Sequence, residues 1–83
     1  MRVLYFAWVR EAVGVDEEQV APSPEIATVA DLITWLSGRS DGHARAFADR
    51  SRLRAAVDQA FVPLDAPVTG AREVAIFPPV TGG

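Results

Sequence analysis

The chain contains 83 residues, 49% of them hydrophobic, and carries a formal net charge of −3. A chain of this length is expected to form one small domain with little room for a buried active site, which favours a carrier or binding role over a self-contained enzyme. The composition excludes a disordered chain, and the acidic balance, with eight basic residues scattered along the sequence, argues against nucleic acid as a partner.

The first segment, residues 3–9, is apolar almost throughout and predicts a strand covered on both faces. A turn at residues 14–16 and a second strand over residues 17–21 would complete a hairpin. The apolar run is too short to cross a membrane, and Arg10 and Glu11 follow it where a signal peptide would need small residues. We therefore expect a cytoplasmic protein that does not bind membranes.

A helix is predicted after the Pro-rich segment that follows the second strand, because apolar residues recur there at helical spacing. Its buried stripe would consist of Val29, Leu32, Ile33 and Leu36. Thr28 is suited to the N-cap, Asp31 to the third helical position, and Gly38 to the position just after the last turn. A further short helical turn is predicted over residues 43–49, with Phe47 directed inward.

Three more strands are predicted in the second half of the chain. Residues 53–58 alternate between apolar and other side chains, as expected for a strand with one buried face. Residues 61–62 are predicted to form a short return strand, residues 64–70 a loop, and residues 73–77 the last strand. In the last strand the second and fourth side chains would share the buried face.

The resulting order of elements indicates an α+β fold of the ubiquitin-like β-grasp type, with a small mixed sheet and one main helix packed on one face. The predicted domain spans residues 1–77, and residues 78–83 are predicted to form an extended C-terminal Gly-Gly tail. A sheet covered by a single helix leaves its other face open.

Alternation along the first strand predicts which large apolar side chains lie on that open face. The helix-facing set would be Val3, Tyr5, Ala7 and Val9, and the open set Leu4, Phe6 and Trp8, joined by Phe61 and Phe77. Exposed apolar side chains in such numbers indicate a surface that a partner protein covers.

Metal and thiol chemistry are not expected, because the chain has no cysteine and its one histidine stands alone. His43 lies in the polar stretch Asp41-Gly42-His43. We predict a surface histidine with no catalytic or metal-binding role.

The end of the chain carries the features of a transferable acyl group. Pro78 and Pro79 cannot extend a sheet ladder, so they should end the last strand and direct the rest of the chain outward over about 13 Å. Gly82 and Gly83 leave no side chain near the terminal carboxylate, so a narrow channel of another protein could admit it. That carboxylate is an anion at neutral pH and a poor electrophile, so it needs activation such as adenylation before transfer.

Three segments resemble the small-subunit family of molybdopterin synthase, a family of ubiquitin-like sulfur carriers. They are the ending Val74-Ala75-Ile76-Phe77-Pro78-Pro79-Val80-Thr81-Gly82-Gly83, the beginning Val3-Leu4-Tyr5-Phe6-Ala7 with Val9-Arg10-Glu11 and Gly14, and the middle Ala55-Ala56-Val57-Asp58-Gln59. The similarity covers the whole chain, and the terminal motif is its specific part.

This resemblance implies a chain that is not catalytic alone but carries sulfur as a subunit of a heterotetrameric synthase. An adenylating enzyme related to ubiquitin activators would use ATP to charge Gly83, and a sulfurtransferase would supply the sulfur of a terminal thiocarboxylate. The chain itself would bind no cofactor. The tail would then enter the large subunit and give sulfur to a cyclic pyranopterin monophosphate, and two deliveries would build the dithiolene of molybdopterin.

The resemblance also implies which residues serve these steps. Gly83 would carry the reacting group, with Gly82 beside it. The residues that contact partners would be Phe6, Phe61, Phe77, Pro78, Pro79, Val80 and Thr81, with Arg10 near the same interface.

Two positions depart from the family pattern. The middle motif usually has Asn where this chain has Asp58, which keeps a hydrogen-bond acceptor but loses the amide donors. The turn before the last strand usually has Gly-Asp where this chain has Ala71-Arg72, and Ala71 would resist a positive φ. Both differences concern turn geometry and not the tail.

The residues leave other interpretations open. A carrier that serves thiamine or cysteine synthesis would share the fold and the Gly-Gly end, and the longer Phe-Pro-Pro-Val-Thr ending is what favours pterin. A protein modifier would form isopeptide bonds through Gly83. A non-catalytic β-grasp interaction module would have an inert tail.

Overall fold

The structure is a computed structural model that describes residues 1–79. Its strands are β1 (Arg2–Tyr5), β2 (Glu17–Gln19), β3 (Arg54–Val57), β4 (Ala60–Val62) and β5 (Glu73–Phe77). Its α-helices are α1 (Ala7–Val13), α2 (Val29–Ser37) and α3 (Asp41–Ala46), and a short 3₁₀ turn spans Arg50–Arg52. Within this part of the chain no helix combines the length and the apolar character needed to cross a bilayer.

The strands form one mixed sheet in the order β2-β1-β5-β3-β4. The two central strands, β1 and β5, run parallel, and the other neighbours are antiparallel. The predicted α+β fold of the ubiquitin-like type is therefore confirmed. Because β1 and β5 run in the same direction, their C-terminal ends lie at the same end of the sheet.

The main core lies between the sheet and α2. Val29, Leu32, Ile33 and Leu36 of α2 are fully buried, as the helical spacing predicted. The helix begins at a capping box, in which the Thr28 hydroxyl accepts from the Asp31 amide at 3.1 Å and the Asp31 carboxylate accepts from the Thr28 amide at 3.2 Å. Reciprocal capping of this kind explains why the start of α2 could be predicted to the residue.

The first strand is shorter than predicted, because the chain leaves the sheet after Tyr5. Phe6 is still extended, but Ala7 adopts a φ of 53° and starts α1. Gly14, which was predicted to form a turn, ends this helix in the left-handed conformation with a φ of 99°. The prediction of a continuous strand to residue 9 was wrong, since a short, wholly apolar run fits a strand and a buried helix equally well.

The segment after α2 forms the short helix that was predicted, although it starts earlier, at Asp41. Phe47 is buried, as expected. Gly42 lies so close to the carbonyl oxygen of Ala12 that no Cβ fits between them. The helices α1 and α3 therefore pack directly on one another and extend the layer that α2 begins.

His43 is buried and not a surface residue, which corrects the prediction. The residue is only 6% exposed, and Nε2 donates to a carboxylate oxygen of Glu18 over 2.6 Å. The hydroxyl of Tyr5 donates to the same oxygen at 2.6 Å, and the Ser40 hydroxyl lies 2.7 Å from His43 Nδ1. A histidine can therefore be buried here because neighbouring polar groups satisfy both ring nitrogens.

Glu18 is the central acceptor of this network. Burial raises the pKa of its carboxyl, but the hydrogen bonds from Tyr5 and His43, together with the charge of Arg39, outweigh that effect and hold the pKa below its ordinary value. For Tyr5, burial and the bond to Glu18 raise the pKa of the phenol, so it stays a donor. The network thus fixes β1, β2 and α3 to one another through a charged acceptor.

We expect Glu18→Gln to lower the free energy of unfolding at neutral pH by about 1–2 kcal/mol, because two short hydrogen bonds lose a charged acceptor. The carboxyl pKa is lower in the folded than in the unfolded state, so its stabilisation is complete above the ordinary value of 4.5 and is lost as the pH falls through the folded-state value. We expect urea unfolding, measured from neutral pH down through the folded-state pKa, to show that the free energy of unfolding falls less with acidification for the variant than for the parent.

The matched control is Glu11→Gln, which removes the same charge from the exposed side of α1. It should change the stability by less than about 0.5 kcal/mol. If the two variants have the same pH profile, Glu18 is not the group that links stability to pH.

Candidate partner-binding surface

The face of the sheet away from the helices carries a groove, which we call the aromatic groove. Its volume is about 560 Å³. It is lined by Phe6, Ala56, Gln59, Phe61, Ala75, Phe77, Pro78 and Pro79. The structure thus brings together five of the residues predicted to bind partners, from three separate parts of the chain.

The floor of the aromatic groove is formed by two small side chains. Ala75 of β5 and Ala56 of β3 are direct partners across the sheet, and Ala56 is in turn opposite Phe61 of β4. Residues that pair directly across strands point to the same face. Two methyl groups side by side leave space between the larger side chains, which creates the groove.

Aromatic side chains form the walls. Phe61 is 82% exposed and Phe6 is 46% exposed. The rings of Phe61 and Phe77 are in contact, with centroids 5.7 Å apart. Burial of one phenylalanine is worth about 1.5–3 kcal/mol, so a partner that covers Phe61 would gain most of that amount. An exposed aromatic cluster of this kind on a small domain is typical of a protein-binding surface.

The predicted open face was therefore correct for three aromatic residues and wrong for one. Phe6, Phe61 and Phe77 lie where the alternation placed them. Trp8, which lies in α1, is half-buried against the core on its inner side. The error follows from the misassigned strand, because the period of two does not continue into a helix.

The chain leaves the sheet at the aromatic groove. Phe77 is the last residue of β5 and pairs with Arg54, and Pro78 and Pro79 follow it along the groove wall. Proline has no backbone N–H, so the strand ladder ends there. Four residues of the predicted tail, Val80, Thr81, Gly82 and Gly83, lie outside the residues that the structure describes.

Arg10 is not part of the aromatic groove. It lies on the exposed side of α1 in its last turn. Within residues 1–79 it forms no ion pair. Its predicted role near a partner interface stays a prediction.

The hairpin that carries Phe61 is held by Asp58. Asp58 and Gln59 have φ values of 48° and 73°, the two left-handed residues of a tight hairpin turn. One oxygen of the Asp58 carboxylate accepts from the backbone amides of Arg72 and Glu73, both at 3.0 Å. Only an acceptor is used, so the replacement of the family Asn by Asp preserves this link.

The second departure from the family pattern also causes no conflict. The left-handed conformation in the turn before β5 falls on Gly70, with a φ of 77°. Ala71 keeps a negative φ. Alanine is therefore tolerated at the position where the family usually has glycine.

The aromatic groove has no groups for acid-base or metal chemistry. All eight of its lining residues are uncharged, and Gln59 is the one with a polar side chain. In the described range 1–79, no three acidic or histidine side chains are placed to hold a metal ion. The surface is therefore suited to binding an apolar partner surface.

Sequence reasoning did not identify Ala56, Ala75 and Gln59 as parts of the surface. Small side chains such as these two alanines give no sign in the sequence that they form the floor of a groove. Gln59 projects from the hairpin turn, and sequence predicted neither its left-handed conformation nor its position. Direct pairing of the two alanines depends on the register of β3 and β5, which only the structure shows.

Comparison with known proteins gives matches along the whole chain. A family model described as the ThiS family matches residues 3–83. The molybdopterin synthase sulfur carrier subunit of Escherichia coli (strain K12) is 47% identical over 83 residues, which cover 100% of this chain and 99% of that protein. The protein of the same name from Haemophilus influenzae is 37% identical over 83 residues, with the same coverage.

A solved structure shows the same fold. It comes from Pyrococcus furiosus and is assigned as subunit 1 of the molybdopterin converting factor. It has 33% sequence identity and a TM-score of 0.72, and the match covers 95% of each chain.

Proposed function

Since the chain belongs to the ThiS family, we propose that it is a sulfur carrier of molybdenum cofactor biosynthesis. In this proposal the carrier docks on the large subunit of molybdopterin synthase and delivers sulfur from a thiocarboxylate at Gly83. The observation that carries the proposal is full-length similarity to molybdopterin synthase sulfur carrier subunits. It is supported by an exposed aromatic groove at the point where the chain turns toward its Gly-Gly end.

Loading of the tail follows from the chemistry of a carboxylate. An oxygen of the Gly83 carboxylate attacks the α-phosphorus of ATP, which an adenylating enzyme binds, and pyrophosphate leaves. The persulfide of a sulfurtransferase then attacks the carbonyl carbon, so a C–S bond forms and AMP leaves. A thiol then attacks the sulfurtransferase sulfur of this acyl disulfide, so a new disulfide forms between the two thiols, the original S–S bond breaks and a terminal thiocarboxylate leaves.

Delivery requires the tail to enter a confined site. Gly82 and Gly83 have no side chains, so the backbone can pass a narrow channel and bring the sulfur to a cyclic pyranopterin monophosphate. In each delivery the terminal sulfur bonds to a carbon of the pterin side chain and displaces an oxygen substituent there. Water then cleaves the bond between that sulfur and the Gly83 carbonyl carbon, so the carrier leaves as a carboxylate, and two deliveries supply both sulfur atoms of the dithiolene. The aromatic groove contributes no titratable group, so the acid and base of this step belong to the large subunit.

The aromatic groove supplies the binding energy that holds the tail in place. Its rings and small floor fit apolar side chains of a partner, and the walls lie beside Pro78 and Pro79. Binding energy gained away from the reacting atoms can position them. In this way a carrier without catalytic side chains contributes to the rate of sulfur transfer.

The direct test is the intact mass of the chain purified from its native host. We expect a fraction in which one oxygen is replaced by sulfur, and fragmentation should place the exchange at Gly83. The same chain from a host that lacks the adenylating enzyme should show only the carboxylate. An unmodified terminus in cells that are making the cofactor would reject the proposed function.

A further inference from the structure

A second feature of the surface lies at the end of the sheet where the chain leaves it. Arg54 is the first residue of β3 and pairs with Phe77, the last residue of β5. It borders a hollow of about 260 Å³ together with Phe61 and Phe77. Arg52, two residues earlier, is also exposed. Arg54 therefore continues the aromatic groove beside Phe77, and Arg52 lies two residues from it along the chain.

Neither arginine has an ionic partner in the described part of the chain. Within residues 1–79, the ion pairs closer than 4.0 Å involve only Arg2, Arg39 and His43 as cations. The pKa of Asp49 is lowered mainly by hydrogen bonds from Ser51, and the charge of Arg52 contributes only a smaller part. Arginines elsewhere in residues 1–79 also form no ion pair, so what distinguishes Arg54 is its position beside Phe61 and Phe77.

Both side chains are held in place by the fold. The guanidinium carbon of Arg52 lies 4.8 Å from the ring centroid of Trp8, which is a cation–π contact. Arg54 donates through one terminal nitrogen to the carbonyl oxygens of Ser51 at 3.1 Å and Leu53 at 2.8 Å. A guanidinium has five N–H donors, so most of those on Arg54 remain available.

Preorganised guanidinium groups are suited to carboxylates. A flexible surface ion pair contributes little binding free energy, because two long side chains lose conformational entropy when they are ordered. A side chain that other contacts already hold in place avoids much of that entropy loss. Guanidinium also binds carboxylates through two parallel hydrogen bonds. Arg54 lies beside Phe77, so it belongs to any interface that covers the aromatic groove, and Arg52 would extend that interface toward Trp8.

We propose that Arg52 and Arg54 form a cationic rim that pairs with carboxylates on the large synthase subunit, next to the channel that takes up the tail. This inference rests on the proposed function, because it takes the large subunit as the occupant of the aromatic groove. The rim fixes the rotation of the carrier about the groove, which apolar contacts alone leave loosely defined. By fixing this rotation, the rim orients the tail toward the channel of the large subunit.

The test is a calorimetric titration of the large subunit with the full chain and with charge-reversed variants. At low ionic strength, Arg54→Glu should weaken binding about tenfold, and at about 1 M salt the difference should largely disappear, because screening is then nearly complete. Arg52→Glu should act in the same direction. It serves as the second variant because its side chain makes no hydrogen bond within residues 1–79 whose loss could disturb β3.

The matched control is Arg45→Glu, an identical charge change on the exposed side of α3. It should stay within about twofold of the parent, since it lies in the helix layer and outside the groove. Equal effects of Arg45→Glu and Arg54→Glu would overturn the rim, because only net charge would then matter. An effect on ATP-dependent adenylation with unchanged large-subunit affinity would also overturn it, since the rim would face the adenylating enzyme.

The inference and the proposed function fail in different ways. If Arg52→Glu and Arg54→Glu bind normally while Phe61→Glu does not, the rim is rejected and the groove stands. If the parent chain does not bind the large subunit at all, the proposed function itself is rejected.

Discussion

Removal of Gly83 is expected to abolish sulfur delivery and to leave the fold intact. One residue spans about 3.3–3.6 Å, so the shortened chain withdraws its terminal carbonyl from the reacting atom by that distance. Misplacement by about 1 Å already costs about a hundredfold in rate. The core of the described residues extends from Val3 to Ile76, and the deletion removes none of those residues.

A single residue appended after Gly83 should have the same effect, because the group that is adenylated moves out of register with the activating site. The measurement is single-turnover sulfuration of the pterin by the large subunit and each variant, after each variant has been incubated with the adenylating enzyme, ATP and the sulfurtransferase. Thr81→Ser is the matched control, since it keeps the length of the tail and both glycines. Thermal unfolding should give the same midpoint for all these chains. Sulfur delivery by either altered terminus would show that the transferred group lies elsewhere.

The parts of the fold that could be predicted are those with local signals. The helix α2 has a capping box and a regular apolar stripe, and β5 is bounded by a turn and by Pro78. Both kinds of signal lie within a few residues of the element that they define. The extent of these elements therefore follows from sequence alone.

The parts that could not be predicted depend on distant residues. The predicted strand over residues 3–9 becomes β1 and α1 because Ala7 turns the chain, and no local residue type requires that turn. His43 is buried because Glu18, far away in the sequence, accepts its hydrogen bond. A carboxylate in a strand and a histidine after a helix give no sign of each other until the fold brings them together.

The aromatic side chains of the candidate surface could be predicted, because alternation along a strand is also a local signal. Alternation and resemblance identified Phe6, Phe61 and Phe77, and the structure places these three in one groove. The fixed cation pair beside it was not predicted, because the contact of Arg52 with Trp8 joins α1 to the segment before β3. Large apolar residues at alternating positions predict a binding surface from sequence, whereas the placement of charged side chains around it can be determined only from the structure.

Phe61→Glu is expected to weaken binding to the large subunit by about a hundredfold or more. The variant places a charge at the centre of the aromatic groove, and a partner that covers the groove would have to desolvate that charge. The isolated domain should be nearly unaffected, since Phe61 is 82% exposed and lies on an edge strand. Glutamate in place of phenylalanine there costs less than about 1 kcal/mol in strand propensity.

The measurement is calorimetric titration of the large subunit, with circular dichroism to establish that each variant is folded. Val15→Glu is the matched control, because Val15 is an exposed apolar residue, at 45%, that lies outside the groove. It should bind like the parent. Phe77→Glu should also weaken binding, but Phe77 is half-buried, so its effect combines lost contact with lost stability. A variant at Phe61 therefore tests the loss of partner contact without a loss of stability. Normal binding by Phe61→Glu would place the interface on another face of the molecule.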